Sequence, residues 1–415
     1  MVFVMREMKD SGASWVGFIP SHWDVGRIDS FYTLRNTKVS DKDYPPLSVT
    51  IGGIVPQLET AAKTNSHDDR KLVLKGDFAI NSRSDRRGSC GISAYDGSVS
   101  LINTILAPKG KMNPEYYDWL FHTIQFADEF YKWGHGIVDD LWTTNYQDMK
   151  KIIIPVPPID EQRDIAQYLN SQCAEIDALS ADIQSEIDTL EAYKRSVITE
   201  AVTKGLDKTV PMKDSGIEWI GEIPETWDIK KGKYCLRYVQ KPTKPDDDVI
   251  TCFRDGEVTL RKNRREEGFT ISLKEIGYQG IDVGDLVVHG MDGFAGSIGI
   301  SDSRGKASPV LNVLETNHNK RYIMYYLRSL AFNGVFLALS TGIRVRTCDT
   351  NWGKLRELLY VLPPKDEQEA IVQFVDDKLK SADEIISQKR EQLAVLDDYK
   401  KSIIYEYVTG KKEVV

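Results

Sequence analysis

The chain writes one plan twice. "MKDSGASWVGFIPSHWD" (Met8–Asp24) returns 204 positions later as "MKDSGIEWIGEIPETWD" (Met212–Asp228). "PPIDEQRDIAQYL" (Pro157–Leu169) returns as "PPKDEQEAIVQFV" (Pro363–Val375), and "YKRSVITEAVT" (Tyr193–Thr203) as "YKKSIIYEYVT" (Tyr399–Thr409). Between them, "KGDFAINSRSDRRGSCGIS" (Lys75–Ser93) loosely echoes "VGDLVVHGMDGFAGSIGIS" (Val283–Ser301). Self-similarity at a long, steady offset restricts the fold to two copies of one arrangement. The ends of each copy match closely and the middles hardly at all. Shared ends suit a common scaffold, and unlike middles suit different targets.

Each copy reads in three parts. The Trp-Gly-Pro-Trp head is too broken by Gly and Pro for a long helix and reads as a compact segment pinned by its aromatics. Trp15, Trp23, Trp219 and Trp227 are expected to pack. Next come short runs rich in Val, Ile and Thr, such as "GDFAIN" and "GDLVVHG", bounded by Gly, Asp, Asn and Pro, which indicate strands. One helix is expected in each middle, over Pro114–Lys132 and Asn319–Phe336. The fold class is therefore α+β: two strand-rich globules separated by a long antiparallel two-helix coiled coil, pseudo-twofold and quasi-circular. The predicted boundaries are 1–156 for the first globule with its head and 157–204 for the first long helix. The second globule and head take 205–362, and the second helix and tail 363–415.

The long helices follow from an absence of breakers. After Pro157-Pro158, Asp160 and Glu161 suit the positive end of a helix dipole. No Gly or Pro follows until Gly205, a run of roughly 45 residues or about 67 Å of helix. Ile176, Ile183, Leu190 and Val197 fall seven apart, with Leu179 and Tyr193 as the alternate row and Ile187 near the same stripe. The second copy offers Ile385, Leu393, Leu396, Tyr399 and Ile403, with Ala382 on the same stripe and Lys389 interrupting it. A heptad stripe of this length wants a partner helix, and each supplies the other.

Composition excludes several classes. Over 415 residues, 41% hydrophobic content is ordinary for a folded chain, and no apolar run reaches the roughly 18–20 residues of a membrane span. Five scattered cysteines without CxxC spacing read as reduced thiols of a cytoplasmic protein, and the six histidines show no metal-ligand clustering. A net charge of −8 leaves room for nucleic acid only through local basic surfaces.

The heads, the "IPVPPIDEQ" and "VLPPKDEQ" helix starts and the "YKRSVITEAVTKG" tail together resemble the specificity subunit of type I restriction–modification systems, over the whole chain. The resemblance implies a non-catalytic subunit with two target recognition domains, each reading half of a split site in double-stranded DNA. It implies helices that fix the spacer and dock two methyltransferase subunits, with restriction subunits joining the full complex. It further implies no cofactor on this chain; S-adenosylmethionine, ATP and Mg2+ belong to adenine-N6 methyltransferase and ATP-dependent nuclease partners. A coiled-coil scaffold whose globules bind other proteins is the alternative, favoured by the negative charge.

Basic residues interleaved with turns mark the candidate DNA contacts. In the first half they are Arg83, Arg86 and Arg87, joined by His135 and Trp142 of the aromatic-rich "WGHGIVDDLWTTN". In the second they are Arg254, Arg261, Lys262, Arg264, Arg265, Arg344 and Arg346. Arg pairs bidentately with guanine, whereas Lys more often meets phosphate. "NPEY" (Asn113–Tyr116) approaches an adenine-methyltransferase box but lacks its second proline, and "GFAGSIG" (Gly293–Gly299) fits neither GxGxxG nor a P-loop. Neither is taken as a catalytic site.

Overall fold

The computed structural model describes residues 6–58, 68–136, 142–264, 275–339 and 350–414. Helices and strands are mixed, as an α+β chain requires. Two compact units divide it: Met1–Ile183 with Glu391–Val415, and Gln184–Arg390.

In unit 1 the head forms an antiparallel pair, β1 (Met8–Asp10) with β2 (Phe18–Pro20), before β3 (Asp24–Arg27), α1 (Ile28–Phe31) and β4 (Tyr32–Arg35). There follow β5 (Lys38–Val39), the hairpin β6 (Leu47–Thr50) and β7 (Gly53–Pro56), and β8 (Arg70–Val73). Then come β9 (Phe78–Asn81), β10 (Cys90–Ile92), β11 (Gly97–Val99) and β12 (Asn103–Pro108). The main sheet runs β10-β9-β12-β4 and a second runs β11-β8-β5. Helices α2 (Pro114–Phe121), α3 (Ile124–Lys132) and α4 (Tyr146–Met149) precede β13 (Ile153–Val156), which returns to pair with β3. An aromatic core lies between sheet and helices, with Phe78 and Phe121 ring centroids 4.4 Å apart and Phe121 and Phe126 4.7 Å apart. The long helix α5 spans Ile159–Lys204.

Unit 2 reuses this order: β14 (Met212–Asp214), β15 (Glu222–Pro224), β16 (Asp228–Lys231), α6 (Gly232–Cys235) and β17 (Leu236–Val239). The hairpin β18 (Ile250–Cys252) and β19 (Val258–Leu260) precedes β20 (Gln279–Ile281), β21 (Leu286–His289), β22 (Ile298–Ile300), β23 (Gly305–Ala307) and β24 (Leu311–Thr316). The sheet order β17-β24-β21-β22 matches that of unit 1 strand for strand. Helices α7 (Lys320–Phe332), α8 (Val335–Ala338) and α9 (Trp352–Leu355) lead to β25 (Leu359–Leu362), paired with β16, and to the second long helix α10 (Lys365–Val408).

The single middle helices expected from sequence are each broken. Thr123 interrupts the first, its hydroxyl accepting from Phe126 N at 3.2 Å to cap α3. Gly334, at φ 70, ends the second, a left-handed step that glycine takes without penalty.

The repeated motifs hold the long helices to the globules. In unit 1 the Trp23 indole donates to Glu161 at 2.9 Å, while Gln162 donates to Pro157 O at 2.8 Å and accepts from Asn113 N at 2.9 Å. In unit 2 Trp227 donates to Glu367, Gln368 donates to Pro363 O and Gln368 accepts from Asn319 N, at the same three distances. The helix tails are held alike. Tyr116 donates to Val408 O at 2.7 Å, and Tyr322 donates to Val202 O at 3.2 Å. Trp15, Trp23 and Trp227 are buried, but Trp219 is 41% exposed, so the head of unit 2 packs more loosely than expected.

Within each unit, portions of α5 and α10 lie side by side. In unit 1 Lys400 pairs with Asp177. In unit 2 Lys194 pairs with Asp383 at 2.5 Å and Lys389 pairs with Glu186. Partners fall in α10 as they rise in α5, so the contact is antiparallel. Ile176, Ile183 and Ile403 are buried, and Leu190, Val197, Leu393 and Leu396 are half-buried. Leu179 (49% exposed), Tyr193 (45%), Ile385 (43%) and Tyr399 (50%) are not in the seam, contrary to expectation. The helix starts choose the face. Ala166 and Leu169 are buried in the core of unit 1, and steps of seven from them give 173, 180, 187, 194 and 201 beside 176, 183, 190 and 197. Ile386, 2% exposed, likewise takes the place assigned to Ile385, because Val372 and Val375 orient α10.

Candidate nucleic-acid interface

In each unit the hairpin packs on the strand at the edge of the main sheet. In unit 1 the β6–β7 hairpin lies on β10: a Cβ added to Gly91 would stand 2.9 Å from Gly53 Cα. In unit 2 a Cβ on Gly299 of β22 would stand 1.9 Å from Gly256 O, in the β18–β19 turn. Gly256 sits at φ 93, and a Cβ there would be 2.3 Å from the Arg328 guanidinium, so only glycine fits. The residues before the last short helix complete both sites. Thr144 N donates to Ser82 O at 2.9 Å in unit 1, and Thr350 N to Gly290 O at 2.7 Å in unit 2.

Unit 1 gathers most of its sequence candidates here. Arg83 and His135 both bridge to Thr143, and Ser84 N donates to Trp142 O at 3.0 Å. Arg83, Arg86 and Arg87 are exposed on a single 3-10 turn over Ser84–Arg86. Arg87 pairs with Asp128 and lies 5.7 Å above the Tyr131 ring. His135, 73% exposed, is 3.2 Å from Asp148. Trp142 is held differently from a stacking platform: its indole donates to Tyr131 O at 2.8 Å and packs on Gly134, leaving no room there for a Cβ.

Unit 2 places its cations elsewhere. The turn between β21 and β22 carries Met291, Asp292, Phe294 and Ala295, and the positive charge comes from the neighbouring hairpin. Arg254 pairs with Asp292 at 3.0 Å. Arg264 pairs with Asp255 at 2.7 Å and Glu257 at 3.2 Å, and sits 4.3 Å over the Phe253 ring. Arg261 donates to Thr251 at 3.3 Å, while Lys262 pairs with Asp248. Arg265, Arg344 and Arg346 lie outside the described residues.

A cavity of about 650 Å³ opens between these parts, lined by Phe253, Arg254, Arg264, His289, Asp292 and Ser297 among others. Sequence reasoning missed His289, Asp292 and Ser297; the only signal for the first two was the alignment of "HGMDG" with the arginine-bearing "NSRSD". Burial lowers the pKa of His289, with Arg254 adding to the shift and Asp292 opposing it. Burial also raises the Cys252 thiol to about 12, so this lining residue is a packing group and not a nucleophile. Asn113 of the "NPEY" stretch caps α2, accepting from Glu115 N and Tyr116 N. Asn145 and Asn351, next to the candidate loops, cap α4 and α9. Among the described residues no His/Cys/Asp/Glu group is spaced to hold a metal ion. No described helix is long and apolar enough to cross a membrane.

Residues 20–189 match the type I restriction modification DNA specificity domain. Over that stretch the chain is similar to the specificity subunits of type I restriction–modification systems. It is 24% identical to the type I restriction enzyme MjaVIII specificity subunit of Methanocaldococcus jannaschii, over 95% of this chain and 94% of that one. Its fold is similar to a chain from a structure concerned with complex assembly and conformational transition of the type I R-M system. There the TM-score is 0.70 at 13% identity, covering 95% of this chain and 99% of the other. It is also similar to the HsdS subunit of Thermoanaerobacter tengcongensis, with a TM-score of 0.50 at 14% identity over 95% and 98% of the two chains. These specificity-subunit likenesses agree with a DNA-recognising chain.

Proposed function

We propose that each unit reads one half of a bipartite, asymmetric DNA site through its paired turns. The carrying observation is one scaffold with two unlike surfaces: the same strand order and the same helix anchors present Arg83, Arg86 and Arg87 in one unit and the Arg254–Asp292 pair in the other. A homodimer of identical readers is confined to symmetric sites, whereas two unlike readers on one chain are not. In this reading the long helices pair as an antiparallel coiled coil, give the molecule a pseudo-twofold plan and fix the spacer between half-sites. Their half-exposed Leu179, Tyr193, Ile385 and Tyr399 offer apolar surface to methyltransferase subunits. The chain itself is non-catalytic and binds no cofactor; S-adenosylmethionine, ATP and Mg2+ serve the partner methyltransferase and restriction subunits.

The test is a footprint of the chain with its methyltransferase partner on a library of duplexes. Protection of a split sequence with a fixed gap is the expected result. Protection without sequence preference, or of one continuous block, overturns the reading.

A further inference from the structure

The cavity of unit 2 differs from a phosphate-binding groove in its charge. A phosphate track needs an excess of cations. Here Arg254 and Arg264 are matched by Asp292 and Asp255, so the lining is balanced. Balanced walls with fixed donors and acceptors suit a neutral group that carries both, and in DNA that is the edge of a base pair.

The polar groups are held in place before any ligand arrives. His289 Nδ1 accepts from Asp292 N at 2.9 Å and from Met291 N at 3.2 Å, so the ring proton sits on Nε2. The same turn brings the Asp292 carboxylate to Arg254, orienting one edge of the guanidinium and leaving its remaining N–H groups to donate. Ser297, 1% exposed, lines the cavity with a buried hydroxyl that has no hydrogen-bond partner. An orphan of this kind costs stability and calls for an explanation by function.

Resting on the reading above, we propose that Arg254 and Asp292 recognise one G·C pair of the half-site read by unit 2. Arg254 donates in a fork to guanine O6 and N7, and Asp292 accepts from the cytosine N4 amino group. His289 acts as a positioning residue behind them by holding the backbone N–H of Asp292, and the Ser297 hydroxyl is left free to meet the bound group. The turn after β9 in unit 1, with three arginines and Ser84 where Asp292 stands in unit 2, has no counterpart of this pair.

The experiment compares Arg254→Lys, Arg254→Ala and Asp292→Asn with the unchanged chain, each assembled with its methyltransferase partner and bound to a duplex library at several salt concentrations. Lysine keeps the charge but loses the fork. The expected result is about tenfold or more loss of discrimination at one G·C position in one half-site for all three variants. Arg254→Lys keeps its non-specific affinity, and the other half-site is unchanged. Retained discrimination in Arg254→Lys with a uniform affinity loss in Arg254→Ala assigns Arg254 to phosphate and overturns the proposal. So does an unchanged preference in every variant. If the unchanged chain itself shows no sequence preference, the bipartite reading fails instead. Circular dichroism melts of each variant confirm that the fold is intact.

Discussion

In unit 1 the turn after β9 carries Arg83, Arg86 and Arg87; in unit 2 the corresponding turn after β21 carries Met291, Phe294 and Ala295. The neighbouring hairpin shows the reverse. Its tip in unit 1 is Ile51, 70% exposed, and in unit 2 it is Arg254 and Asp255. Both turns are held by the same close glycine contacts, Gly91 on Gly53 and Gly299 on Gly256. The positive charge stands on one turn in unit 1 and on the other in unit 2, while the frame is the same. A surface of two adjacent loops on a rigid sheet lets either loop carry the polar groups without altering the core beneath.

The comparison is sharpest where the frames themselves differ, at the heads. Trp15 and Trp219 hold the same place in the repeat, yet Trp15 is buried and donates to Ile153 O at 3.1 Å, whereas Trp219 is 41% exposed. Trp15→Ala is expected to cost about 3 kcal/mol or more, and Trp219→Ala no more than about 1 kcal/mol. Chemical denaturation of the two variants measures this. Equal losses would mean that the heads do equal work and the exposure of Trp219 is immaterial.

A second contrast lies in how the surfaces meet DNA. The arginines of the first turn are clustered and exposed, which suits phosphate. Arg83→Ala with Arg86→Ala is expected to weaken binding about tenfold on every sequence and to lower the salt slope by about two. Titrations at several ionic strengths decide. A change confined to one base position would instead make this turn a base reader like that proposed for unit 2.

A smaller effect tests the likeness of the frames. Tyr116→Phe removes the hydrogen bond to Val408 O, and Tyr322→Phe removes those to Val202 O and Val361 O at 3.2 and 2.9 Å. Each is expected to cost about 1 kcal/mol, since each hydroxyl has one proton to donate and Tyr322 shares its own between two carbonyls. Thermal melts provide the measurement. A neutral result at either position would show that the tyrosine packs the helix tail without anchoring it.

The frame was legible because its signals are local. Two "DEQ" helix starts after Pro-Pro, and runs free of Gly and Pro, are written in consecutive residues, and they are the residues that make the anchoring bonds. The helix seam was only half legible. Ile176 and Ile183 mark one row, but the choice between Leu179 and Ile187 for the other is made by where Ala166 and Leu169 dock, a tertiary fact. The site was legible as basic turns and no further. Asp292 and His289 stand more than thirty residues from Arg254, and a lone acid in a glycine-rich turn carries no periodic or motif signal. The anchoring of Trp142 was equally invisible, since no local pattern shows that its indole bonds Tyr131 O.

The finest distinction between the units is electrostatic, at the glutamates that begin the long helices. Both accept an indole N–H. Burial pushes the Glu161 carboxyl upward, but hydrogen bonds from Trp23, His22 and Arg6 outweigh it and hold the group below the usual value of 4.5. For Glu367 burial dominates, the Trp227 bond opposes it, Asp366 adds to it, and the group lies above 4.5. The repeat explains the difference, since Val210 and Thr226 stand where Arg6 and His22 stand in unit 1. The signs are opposite. A carboxyl lowered on folding contributes stability that is present above 4.5 and is lost as pH falls through the folded value. A raised one contributes at low pH, and that contribution is lost as pH rises from 4.5 through its folded value. Glu161→Gln should therefore flatten the acid side of the stability profile, and Glu367→Gln should remove a loss on the rising side. Both effects are reduced by solvent, because each carboxyl is only part-buried. Denaturation midpoints between pH 3 and 7 for the two variants check the signs. Should Arg6→Ala fail to move the Glu161 profile toward that of Glu367, the two missing partners are not what separates the units.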